Sequence, residues 1–86
     1  SKVRVEEGSS LVLRCEVNST QEIKSIRWLK GKKLLRDGLP NIKIYDKDNV
    51  TEIKISEMVL EDDGVYSCMA ATKSDKKDAT IRVRVL

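Results

Sequence analysis

Eighty-six residues make a single domain with a thin core, since a chain of this size buries only roughly 60% of the surface its unfolded form exposes. The composition is 40% hydrophobic and 36% charged, with 17 basic against 14 acidic residues and a net charge of +3, and no apolar run approaches the ~18 residues of a membrane span. The chain has no His, two Cys and three aromatic residues (Trp28, Tyr45 and Tyr66), too little for an imidazole-based catalytic or metal site, a zinc cluster or a base-stacking platform.

These exclusions leave a non-catalytic binding module with no cofactor, no metal, no nucleic-acid partner and no insertion of its own into a membrane. The boundaries, Ser1 and the apolar strand ending at Leu86, are those expected of one domain, 1–86, taken from a longer multidomain protein.

Along the chain the apolar pattern is that of strands. Lys2 to Val5 is an N-terminal edge strand, set apart by Gly8, Ser9 and Ser10. Leu11, Leu13, Cys15 and Val17 then share one face at period two, followed by Ile26 with Trp28. Gly31 turns the chain, and Asp37 to Asn41, with Gly38 and Pro40, form a loop. Ile42 and Ile44 alternate with charge and are mirrored by Ile53 and Ile55 across a turn at Asp46 to Asn49. That turn lacks the ligand run of a calcium loop. Leu60 to Gly64 has room for one helical turn. Tyr66, Cys68 and Ala70 face inward on the next strand, Lys73 to Lys77 make a polar hairpin tip, and Ala79, Ile81, Val83 and Val85 close the chain as the inward set of the last strand. Short strands without a long helix predict an all-β sandwich of two antiparallel sheets with Greek-key connections.

Two spacings narrow this further. Cys15 and Cys68 stand 53 positions apart with Trp28 between them, and Asp62-Asp63-Gly64-Val65-Tyr66-Ser67-Cys68 follows an Asp-x-Gly-x-Tyr-x-Cys pattern. With Glu6 to Leu11, Trp28 to Lys32 and Ile53 to Ile55, these stretches resemble the immunoglobulin superfamily, in its I-set form, over nearly the whole chain. Leu11 to Glu16 and Pro40 to Ile44 are similar to the immunoglobulin domains of neuregulins. Those of receptor tyrosine kinases and neural adhesion proteins are similar more generally.

The resemblance implies a disulfide between Cys15 and Cys68, buried against Trp28 and joining the two sheets. It also implies a corner in which the Tyr66 hydroxyl bonds to nearby backbone and Gly64 supplies the turn; among the acidic turn residues, Asp62 reads as a structural partner for a nearby basic side chain rather than a catalyst. Two free thiols are the alternative, as in I-set domains of muscle filaments in a reducing cytosol. Asn18-Ser19-Thr20 and Asn49-Val50-Thr51 are glycosylation acceptor triplets, which together with the Cys pair favour a secreted or cell-surface protein.

The domain therefore reads as an extracellular recognition module of an adhesion molecule, receptor or growth-factor precursor, with a protein partner. A structural domain of an intracellular muscle or actin-associated filament is the alternative. The contact surface expected by alternation is the sheet face carrying Arg27, Leu29, Val65, Met69, Arg82 and Arg84. Cations gather at Lys30, Lys32, Lys33 and Arg36, with Arg27 and Lys43 as neighbours, and again at Lys73, Lys76 and Lys77. Such charges bind sulfated glycosaminoglycans, as the neuregulin resemblance implies for the first group, or serve to keep edge strands apart.

Overall fold

A computed structural model describes residues 1–86 as eight strands and one short 3-10 turn: β1 (Lys2–Val5), β2 (Leu11–Glu16), β3 (Ser25–Lys30), β4 (Lys33–Leu35), β5 (Ile42–Lys47), β6 (Val50–Ile55), the turn Leu60–Asp62, β7 (Gly64–Ala71) and β8 (Lys76–Val85). They form a five-stranded sheet in the order β1-β8-β7-β3-β4 and a three-stranded sheet in the order β2-β6-β5. The β1–β2, β2–β3, β4–β5 and β6–β7 connections all pass from one sheet to the other, which gives the Greek-key sandwich.

The period-two residues fill the space between the sheets. Leu11, Leu13, Ile53 and Ile55 from the small sheet meet Trp28, Leu35, Tyr66, Cys68, Val83 and Val85 from the large one, and Met58 closes the core from the loop after β6. Burial of each such side chain stabilises by about 1.5–3 kcal/mol. Trp28 sits between Cys68 on β7 and Leu35 on β4.

Four features depart from the sequence-based expectation. The β1–β8 pair is parallel, with Lys2 opposite Arg82 and Val5 opposite Val85, as two strands from opposite ends of the chain can be when no hairpin joins them; every other pair is antiparallel. A short strand, β4, lies where only a turn was expected. Lys76 and Lys77 already belong to β8, opposite Ala71 and Ala70, so the tip is confined to Thr72–Asp75, closed by the Thr72 N–H donating to the Asp75 carbonyl at 2.8 Å. Ala79 lies opposite the buried Cys68 yet is exposed. β1 flanks β8 only from Arg82 onward, which leaves the first half of β8 without an outer neighbour.

Candidate functional site

The corner between the sheets is built on backbone. The 3-10 turn Leu60–Asp62 positions the Asp62 carbonyl, which accepts the Tyr66 hydroxyl at 2.6 Å. The Asp62 carboxylate faces its own turn and accepts the Val59 N–H at 2.9 Å. The ion pair expected of Asp62 belongs to its neighbour: Asp63 lies 2.8 Å from the Arg82 guanidinium and accepts the Val85 N–H at 2.9 Å. That backbone bond, followed by the Arg82 interaction, holds the Asp63 carboxyl below the usual carboxylate range. Burial, followed by the charges of Asp62 and Asp63, pushes the Tyr66 phenol up to about 12.

Gly64, with φ +157°, opens β7 directly after the corner. A Cβ there would stand 3.1 Å from Cε of Lys30, whose side chain crosses over Gly64 so that its ammonium donates to the Glu61 carbonyl. Lys30 is thereby committed to the corner.

A second network crosses the core. The Trp28 indole N–H donates to the Thr51 hydroxyl at 2.9 Å, and that hydroxyl donates in turn to the Asp46 carboxylate. Thr51 is fully buried, so without this relay both the indole and the hydroxyl would carry an unmet polar group. Cys15 and Cys68 are bonded, with Cα atoms 6.5 Å apart. Cys68 is buried but Cys15 only half-buried, because β2 forms the outer edge of the three-stranded sheet.

The two acceptor triplets differ. Asn18 is exposed, whereas Asn49 is half-buried and its amide donates to the Val17 carbonyl at 2.8 Å; its Thr51 is the hub of the Trp28 relay.

Of the basic residues expected to gather after the Trp28 strand, Lys30 and Lys33 are brought side by side. They are opposite each other on β3 and β4, bordering a hollow of about 300 Å³ at the corner end of the sandwich, together with Leu35, Tyr66 and Asp62. Lys32 is at the hairpin tip and Arg36 lies past the end of β4. Arg27 and Lys43 lie on different sheets. On the five-stranded sheet Arg27, Val65, Arg82 and Arg84 are exposed, while Leu29 and Met69 are half-buried. No group of three Cys, Asp or Glu side chains is placed to hold a metal ion.

The arrangement is a rigid scaffold with open faces, and comparison with known families identifies it. A family model described as the immunoglobulin I-set domain matches residues 1–85. The chain belongs to the immunoglobulin I-set family. Human membrane-bound pro-neuregulin-1 is 36% identical over 81 residues, covering 92% of this chain and 13% of that protein. Drosophila titin is 30% identical over 82 residues, covering 93% of this chain and a share of titin that rounds to 0%. The solved I-band fragment I67–I69 of titin superposes with a TM-score of 0.87 at 18% identity, over 98% of this chain and 29% of that one. This I-set domain thus spans only a small part of the curated relatives it matches, and its family is one of non-catalytic modules.

Thr51 and Asp63 escaped the sequence reading of this I-set domain. Thr51 carried a signal, since it stands two residues before Ile53 in the inward phase of its strand, where a hydroxyl needs a partner. Asp63 carried none: only the return of β8 beside the corner brings Arg82 and Val85 to it.

Proposed function

We propose that this domain is an extracellular recognition module of a cell-surface or secreted signalling protein. Its partners are a protein, bound on the outer face of the five-stranded sheet around Arg27, Leu29, Val65 and Met69, and a sulfated glycosaminoglycan. The observation that carries the reading is the 36% identity to human neuregulin-1 in a chain whose two cysteines are bonded between the sheets, a bond that persists in oxidising compartments. The exposed Asn18 triplet agrees with passage through the secretory pathway.

An antibody against the folded domain tests this. Labelling of intact cells or of conditioned medium is expected, and labelling that appears only after permeabilisation overturns it. The second reading, a spacer in an intracellular filament, is favoured by the likeness to Drosophila titin and corresponds to that second outcome.

A further inference from the structure

On the outer edge of the five-stranded sheet, the parallel pairing of β1 with β8 sets Lys2 opposite Arg82 and Arg4 opposite Arg84. Val83, fully buried, and the half-buried Val3 lie between these pairs and point inward, so strand alternation sends all four cations to the same outer face. All four are exposed. Strand geometry places them within a patch of about 7 by 5 Å. Like charges directly opposite each other on neighbouring strands destabilise a sheet, and here two such pairs are adjacent. Arg82 is taken up by Asp63 and by the Gly64 and Val83 carbonyls, and Asp63 also feels the charge of Arg84; Lys2, Arg4 and Arg84 form no ion pair.

Other cationic pairs are weaker candidates. Lys30 of the Lys30–Lys33 pair is held by the Glu61 carbonyl. Lys43 and Lys54 stand alone as a pair, next to the row formed by Arg14, Glu52 and Tyr45.

We infer that Lys2, Arg4 and Arg84, grouped around the Asp63-paired Arg82, form an anion-binding array that takes the sulfate groups of a glycosaminoglycan chain. The inference rests on the proposed extracellular reading and moves its glycan site from the β3–β4 turn to the β1–β8 edge. The patch is open and borders one exposed apolar side chain, Val65, opposite Arg82. A protein interface centres on desolvated apolar anchors, whereas a sulfated chain needs dense charge on an accessible face and binds by point attraction.

Heparin-affinity elution and calorimetry of the whole domain test it, using heparin and polyglutamate as probes. The variant Lys2→Glu with Arg4→Glu is compared with Lys32→Glu with Lys33→Glu, and Arg84→Glu replaces the first if thermal unfolding shows that it does not fold. The array variant is expected to bind heparin about twenty-fold more weakly, from two exposed contacts, while the turn variant changes little. An equal loss in both, or a larger loss in the turn variant, removes the array as the site and leaves the glycan reading standing. Elution of the unmutated domain below physiological ionic strength, where screening already acts over about 8 Å, removes the glycan reading itself. Polyglutamate binding as tightly as heparin reassigns the array to an acidic protein.

Discussion

The Tyr66 hydroxyl and the Thr51 hydroxyl each close a hydrogen-bond account that the apolar core alone would leave open. Replacing Tyr66 by Phe deprives the Asp62 carbonyl of its donor and should lower stability by about 1–2 kcal/mol in urea unfolding. The phenol also sets an alkaline limit. Its value is raised in the folded state from 10.0 to about 12, so its stabilisation is complete below pH 10 and is lost as the pH climbs through about 12. Ultraviolet titration should show a phenol that ionises only near pH 12, and the Phe variant should lose that step. Thr51→Val keeps the shape but strands the Trp28 indole N–H, which should cost about 1–3 kcal/mol. A neutral result there means that a water replaces the hydroxyl.

Strand identity and facing were legible because alternation is a local property: Leu11, Leu13, Ile53, Ile55, Tyr66 and Cys68 all face the core as their phase demands. Features set by neighbours were not. β4 has three residues, too few to show a period, and begins inside a lysine-rich turn. The parallel entry of β1 depends on pairing with a strand some eighty positions later in the chain, and Ala79 is exposed because of where that pairing begins. The separation of Arg27 and Lys43 from the Lys30–Lys33 pair has the same origin, since proximity in sequence does not specify which sheet or side a strand presents. The Lys30–Lys33 pair makes this measurable: like charges directly opposite repel, so Lys33→Glu should raise stability by a few tenths of a kcal/mol, with the gain shrinking in high salt. A loss of stability would show that Lys33 has a favourable partner in the corner hollow.

The sandwich as a whole is closed by one covalent link between a small sheet and a large one. The bond joins residues 53 positions apart, and in the chain-entropy account a loop of that length restrains the unfolded state by about 4 kcal/mol. A domain of this size has a total stability of about 4–13 kcal/mol, so the bond is a large fraction of it. Cys15→Ser with Cys68→Ser should therefore lower the unfolding free energy by about 3–4 kcal/mol and the melting temperature by more than ten degrees, at about 4–8 °C per kcal/mol. The half-exposed Cys15 gives a reductant access to the bond from the β2 edge, so the native domain in dithiothreitol should approach the same melting temperature without global unfolding first. The comparison bears on where the domain works. A double variant that melts within a few degrees of the parent has a core sufficient for a reducing cytosol, as a filament spacer requires, whereas a domain that depends on the bond belongs in an oxidising compartment.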